Sequence, residues 1–454
     1  MRRVTLNTLG NQDRGSLSNK KEEIMPRDIS VKISKPVLTQ QISKTVDPIK
    51  KFLGCSHSQI KSLTSTYPVI FRYVYGYAIG RLLREKYEVC EQKQDEFAHF
   101  FLSKRFKPDE SEIVEFPWQG IFYLRLPSRE KLVLRTDFTG WHSPVPLIDL
   151  YVEKKRTRLA QSFFSELKEM VSGIRHRVFN GSGRFMSIDE EIGWEDIVLK
   201  VGTKETILYN TSGLFSKSDL FREKGIPLKR GLLFCGPPGN GKTMVGKILA
   251  REVDANFIWV TPKDLTDAPS RDIADIYNLA RLLAPTIIFS EDIDLVGGED
   301  RFGKSFRSIL GELLNQLDGF DSNHGVITIA TTNNIEVLDK ALANRPGRFD
   351  IRIEFPNPDY DISLAVLKRY IRNHPVASDL NLARLIKKSD GLSCAHMKEI
   401  VTRALILGLE KDCFDENGKV VITQENLEQA LAAMGCKTTR TGFHSCSSEE
   451  LSEL

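Results

Sequence analysis

An apolar run, Gly231-Leu-Leu-Phe-Cys235, leads straight into Gly236, Pro237, Pro238, Gly239, Asn240, Gly241, Lys242 and Thr243, and helix-forming residues from Met244 to Ala250 follow at once. No other stretch constrains the fold as strongly. The pattern GxxxxGK[ST] between a strand and a helix is that of a phosphate-cradling loop in its strand–loop–helix context. Its glycines let backbone N–H groups converge on phosphate oxygens at the amino end of the following helix. Lys242 supplies a cation for the β- and γ-phosphates. The Thr243 hydroxyl, with phosphate and water oxygens, completes a Mg²⁺ shell, and Met244 closes the cradle.

A second apolar run, Thr286-Ile-Ile-Phe-Ser290, delivers Glu291-Asp292-Ile293-Asp294 at its carboxyl end. Two carboxylates there match the needs of phosphoryl transfer to water, one holding Mg²⁺ through water and one orienting the attacking water.

The chain has 454 residues, enough for two or three ordinary domains. Its 41% hydrophobic and 27% charged residues fit a globular protein and exclude fibrous or wholly unfolded classes. The stretch from Pro68 to Leu83 carries Arg72 and Arg81, so it reads as a core helix and no membrane partner is expected. A net charge of +4 makes nucleic acid a partner that composition permits without indicating it. Seven scattered cysteines, with no CxxC pair, predict reduced thiols in the cytoplasm. Residues 1–24 lack a secretory apolar segment.

Along the chain, residues 1–48 are expected to be a disordered extension, and 49–179 an α+β domain of unknown role. Within it the apolar spacing is helical from Ile49 to about Arg105 (Phe71, Tyr75, Ile79, Leu82, Leu83), then strand-like at 121–126, 131–135 and 147–152. Leu159, Phe163, Leu167, Met170, Val171 and Ile174 form one helical stripe among Lys154, Lys155, Arg156, Arg158, Lys168, Arg175 and Arg177, a basic face that suits either solvent or phosphate. Asn180-Gly-Ser-Gly opens a linker over 180–193, and a disordered tail is expected over 435–454.

Five motifs in order, Gly236-Pro-Pro-Gly-Asn-Gly-Lys-Thr, Glu291-Asp-Ile-Asp, Gln316-Leu-Asp-Gly-Phe, Ile329-Ala-Thr-Thr-Asn333 and Arg345-Pro-Gly-Arg-Phe-Asp350, resemble the AAA branch of the AAA+ ATPases from about Trp194 to about Glu410. The resemblance implies a P-loop α/β ATPase module with a parallel sheet over 194–358 and a C-terminal helical lid over 359–434, here preceded by a separate α+β domain. It implies a homo-oligomeric ring, six subunits being the expected number, with ATP and Mg²⁺ bound between subunits. By position Asn333 would sense the γ-phosphate, and Arg345 and Arg348 would reach a neighbour's nucleotide. Asp196 and Ile197 would hold the adenine, with Cys394 and Ala395 of the lid beside it.

Two departures stand out. The acidic pair reads Glu-Asp where most relatives read Asp-Glu, an order that a subgroup of the family shares; Glu291 then falls on the metal side and Asp292 on the water side. The segment Thr261 to Ser270 offers Leu265 where ring unfoldases carry an aromatic residue, and Asp300-Arg301 falls in a second pore-facing loop or a subunit contact. The expectation is an ATPase that remodels an unidentified protein substrate; a nucleic-acid motor or loader, or a nucleotide-gated scaffold with little hydrolysis, are the alternatives.

Overall fold

The computed structural model describes residues 43–104, 107–139, 145–188, 191–226, 228–266, 273–295, 306–318, 323–336, 349–389 and 391–434. The N-terminal part comprises α1 (Ser43–Leu53), β1 (Ile60–Thr66), α2 (Arg72–Lys86), β2 (Glu88–Lys104), β3 (Lys107–Arg125), β4 (Lys131–Thr139), β5 (Val145–Glu153) and α3 (Thr157–Ser172). Its five strands form an antiparallel sheet in the order β1-β5-β4-β3-β2. Side chains alternate across such a sheet. Leu132, Leu134, Ile148, Leu150 and Val152 turn to the core shared with α2 and α3, while Tyr123 and Val133 turn to Ile49 and Phe52 of α1. Helix α2 is buried at Tyr73 through Gly80, nearly all round, as the sequence predicts for a core helix.

Three expectations are corrected here. Residues 43–48, assigned to the extension, begin α1. The helical reading of 49–105 holds for α1 and α2 only: Ile60–Thr66 and Glu88–Lys104 are strands, the first pairing with the distant β5 and the second folding back on β3, and cross-strand pairing is not visible to short-range periodicity. The linker over 180–193 starts inside a sheet, since β6 (Val178–Asn180) pairs with β7 (Phe185–Met186) around the Gly-Ser-Gly turn.

Then come α4 (Thr203–Tyr209), α5 (Ser212–Phe215), α6 (Ser218–Glu223), β8 (Lys229–Cys235), α7 (Lys242–Glu252), β9 (Asn256–Val260), α8 (Pro262–Thr266), α9 (Ile273–Leu282), β10 (Thr286–Ser290), α10 (Phe306–Asp318), β11 (Val326–Thr332) and β12 (Ile351–Glu354). The seven-stranded sheet runs β12-β8-β11-β10-β9-β6-β7, parallel except for the last pair. Every residue of β9, β10 and β11 is buried, the mark of central parallel strands covered on both faces. Register places Cys235 opposite Thr332 and Ser290 opposite Ala330, so the chain leaves β8, β10 and β11 at one carboxyl edge. That edge is where open α/β sheets bind ligands.

The lid is α11 (Tyr360–Ile371), α12 (Leu382–Lys388), α13 (Cys394–Glu410) and α14 (Gln424–Ala433), packed around Leu367, Leu385, Ile400, Ala404 and Leu427. Asp359, Asn381 and Thr423 cap α11, α12 and α14 by accepting a backbone N–H three residues on.

The N-terminal sheet and the parallel sheet share one core. A single buried cluster runs from Leu63 through α2 and α3 to Ile276 and Tyr277 of α9 and Ala330 of β11. Phe185 stacks against Phe179 at 4.7 Å and meets Tyr77 at 5.7 Å. Asn256, fully buried, ties the joint: its Nδ2 donates to the Ile174 and Leu283 carbonyls at 2.8 and 2.7 Å, and its Oδ1 accepts from the Arg177 N–H at 3.1 Å.

Candidate functional site

Backbone geometry forms the phosphate loop. Gly241 precedes α7 at φ 99°, and a Cβ there would stand 2.7 Å from Cδ1 of Ile197; Gly236 lies at φ 143°, where a Cβ would meet the Phe355 carbonyl at 2.2 Å. Neither position admits a side chain without displacing a neighbour. Lys242 opens α7 and is buried, its Nζ donating to the carbonyls of Gly236 and Pro237 at 2.6 and 3.0 Å and to Oδ1 of Asn333 at 2.8 Å. Burial pushes its ammonium below the ordinary lysine range, and the nearby Asp292 and Asp294 carboxylates work against that shift.

The acidic pair splits between two partners. Thr243 Oγ1 donates to Oε1 of Glu291 at 2.8 Å, and the Trp259 indole N–H donates to Oε2 at 3.0 Å. Asp292 sits at φ 41°, its backbone N–H donating to Thr331 Oγ1 at 2.8 Å, and its Oδ1 accepts from Nδ2 of Asn333 at 3.1 Å. Asn333 therefore joins Lys242 to Asp292 through the two ends of one amide, while its backbone N–H donates to Asp294 at 3.2 Å. A residue with φ above zero outside glycine marks a backbone held by its surroundings. Here the Thr331 contact and the turn after β10 hold it.

A cavity of about 350 Å³ opens beside this network. Its walls include Asp196 and Ile197, the loop from Pro238 to Met244, Asp292 and Asn333, and, from the lid, Cys394 and Ala395. The lid is seated on the loop by its own helix start: the amide of Cys394 donates to Oδ1 of Asn240 at 3.1 Å and that of Ala395 to the Gly239 carbonyl at 2.9 Å. These are first-turn N–H groups that α13 itself cannot satisfy. Asn240 further donates to Asn357 Oδ1 at 2.9 Å. Burial pushes the Cys394 thiol up, away from thiolate reactivity.

All sequence-predicted residues at this end of the sheet thus converge, except that Arg345 and Arg348 lie outside the described residues, as do Asp300, Arg301 and residues 267–270. Several contributors carry no motif, Val198 and Val366 of the cavity wall among them. Arg369 of α11 pairs with the Asp196 carboxylate and donates to the Glu195 carbonyl, fixing the turn that carries Ile197. Tyr370 and Lys398 also line the cavity, and Trp259 reaches Glu291 from β9. Only Lys398 carried a sequence signal, one helical turn beyond Cys394 and Ala395.

The donor set suits Mg²⁺. Thr243 and Glu291 offer hard oxygens beside a phosphate cradle, and among the described residues no group of three or more His, Cys, Asp or Glu side chains forms a cage of its own. Mg²⁺ characteristically keeps its waters and shares phosphate oxygens rather than occupying an all-protein cage.

Comparison with known proteins agrees with this geometry. Residues 232–357 match the family described as "ATPase family associated with various cellular activities (AAA)". The chain is similar to the 26S proteasome regulatory subunit 8 homolog B of Arabidopsis thaliana, 35% identical over 231 residues, 49% of this chain and 54% of the relative. It is 36% identical over 224 residues to the 26S proteasome regulatory subunit 8 homolog of Schizosaccharomyces pombe, covering 47% and 54%. It is 30% identical over 288 residues to the ATP-dependent zinc metalloprotease FtsH 2 of a Thermoanaerobacter species, covering 62% and 53%. The chain spans about half the length of the curated relatives it matches. With the phosphate loop, acidic strand and Asn333 brought to one sheet edge beneath a helical lid, the matched segment 232–357 is an AAA ATPase domain.

Proposed function

We propose that the chain binds Mg-ATP and hydrolyses it as an AAA-type ring ATPase, coupling turnover to the remodelling of a protein substrate or complex. The chain of contacts from Lys242 through Asn333 to Asp292, beside the Thr243–Glu291 contact, carries this reading. It joins a phosphate-binding cation, a neutral amide and two separately held carboxylates at one point.

ATP enters with its phosphates against the amino end of α7 and its base toward Ile197 and the lid. Lys242 neutralises the β- and γ-phosphates. Thr243 would hold Mg²⁺ directly and Glu291 through water, and the bound ion supplies positive charge to the phosphate oxygens. Asp292 orients a water for in-line attack: an O–P bond forms to the γ-phosphorus as the bridging P–O bond to ADP breaks, and the water's proton passes to the carboxylate. Asn333 donates toward the γ-phosphate oxygens as charge shifts onto them. Arg345 and Arg348 of an adjacent copy stabilise the same charge, so that the site works only in an assembled ring, six copies being the expected number.

The relatives' printed names, two regulatory subunits of the proteasome and an ATP-dependent protease, support a protein as the substrate. The N-terminal domain selects it, and the cytoplasm is the proposed compartment; no described helix is long and apolar enough to cross a membrane. The test is steady-state ATPase activity against protein concentration, with mass measured alongside, for the wild type, Lys242→Ala and Arg348→Ala. Specific activity should rise with assembly and vanish in both variants. Assembly on ATP without turnover would replace the motor with a nucleotide-gated scaffold, and wild-type turnover by Lys242→Ala would remove the site assignment.

A further inference from the structure

Glu291 is held by two donors from different elements. Thr243 takes one carboxylate oxygen and the Trp259 indole N–H the other, so the carboxylate plane is fixed at both corners. Trp259 is the fourth residue of β9 and lies one strand away from Glu291, opposite Phe289 in the parallel register. Its ring is clamped by Phe289 at 4.8 Å and Phe257 at 5.8 Å, and 8% of the residue remains exposed. The packing sets the ring, and the ring sets where its N–H points.

A tryptophan serving only the core would turn its N–H to the nearest backbone carbonyl or to solvent. This one turns to a carboxylate that itself contacts the hydroxyl of the phosphate loop. We infer that Trp259 is a positioning residue for the metal side of the site, holding Glu291 in the one orientation that leaves its carboxylate facing Thr243 and the metal's water shell. The inference rests on the Mg-ATP reading above. It also accounts for the Glu-Asp order: a glutamate on the metal side has one more rotatable bond than an aspartate, and a fixed donor removes that freedom. Groups behind a metal ligand commonly change metal affinity about 10- to 100-fold when removed.

The experiment measures how much Mg²⁺ tightens binding of a fluorescent, non-hydrolysable ATP analogue to the full chain, as the ratio of affinities with Mg²⁺ and with EDTA. Trp259→Phe keeps the stacking and removes the N–H. Should that variant fold poorly, β-(3-benzothienyl)alanine at 259 replaces only the N–H by sulfur. The expected result is unchanged affinity in EDTA and a loss of about tenfold in the Mg²⁺-dependent tightening. In a Glu291→Ala background, which removes the acceptor altogether, Trp259→Phe should then have no further effect, because it acts through that carboxylate. Wild-type tightening in either 259 variant overturns the inference, and so does an equal loss with and without the Glu291 carboxylate. Equal analogue affinity in the wild type and Lys242→Ala would instead overturn the underlying nucleotide site.

Discussion

Replacing Asn333 with alanine tests the centre of the site. In the folded protein its Oδ1 accepts from Lys242 at 2.8 Å and its Nδ2 donates to Asp292 at 3.1 Å. Both bonds involve a charged partner, a kind worth about 1.5–3 kcal/mol each. Lys242 keeps the Gly236 and Pro237 carbonyls, so its position and the ground-state grip on phosphate change little. Asp292 loses the Asn333 amide and keeps Thr331, whose Oγ1 accepts from its backbone N–H at 2.8 Å and lies 3.4 Å from its Oδ1. On the proposed mechanism the larger loss therefore falls on the transition state, where Asp292 would hold a water and the amide would meet new charge. Taking about 3 kcal/mol, the low end of the two-bond sum, gives a fall of roughly a hundredfold in kcat. Nucleotide affinity should change less than about fivefold, as expected for an interaction felt mainly in the transition state. Asn333→Asp separates the two ends, keeping an acceptor for Lys242 while setting a like charge against Asp292, and should turn over no faster than the alanine variant. Steady-state ATPase assays with parallel equilibrium binding decide the matter. Turnover by Asn333→Ala within about threefold of wild type would refute the argument, because a bridge this placed cannot be idle if the site is catalytic.

Lys242 sheds its proton below the ordinary value of 10.5 because it is buried, so ATP-analogue affinity should decline on the alkaline side before an exposed lysine would titrate; over that window the unfolded chain holds more protons than the folded one, so this residue's contribution to stability rises with pH while affinity falls, and an affinity flat up to 10.5 would contradict the assignment. Asn256→Ala removes three hydrogen bonds at a fully buried joint and leaves two carbonyls and an N–H without that partner, which should lower unfolding stability by about 3 kcal/mol in urea titrations, a loss under about 1 kcal/mol counting against it.

The phosphate loop, the acidic strand and Asn333 were legible in the sequence because each is a short contiguous motif whose backbone does the work. Their supports were not. Trp259 stands in Asn256-Phe-Ile-Trp-Val, a stretch buried at every position, where nothing separates a core tryptophan from one that reaches a carboxylate 32 residues on. Arg369 is an ordinary cation on an amphipathic helix until the lid folds over Asp196. The strand at Val178–Asn180 reads as the tail of a helix running into a glycine turn, since what makes it a strand is β9. The long strand over Glu88–Lys104 was hidden for the same reason: its regularity lies in its pairing with β3 and not in its own spacing.

The hairpin of β6 and β7 also imposes an order on synthesis. The N-terminal sheet is complete once β5 has left the ribosome, all its partners being upstream. The hairpin comes next and must wait, because β9, the strand it joins, is made later, and Asn256, which locks Ile174 and Arg177 in place, belongs to that same strand. During that interval Phe179 and Phe185 face water or the half-built surface of α2. A chain with such a delay offers chaperones a defined stretch to hold, and a ribosome pause placed between 186 and 256 would lengthen the exposure of that stretch in particular.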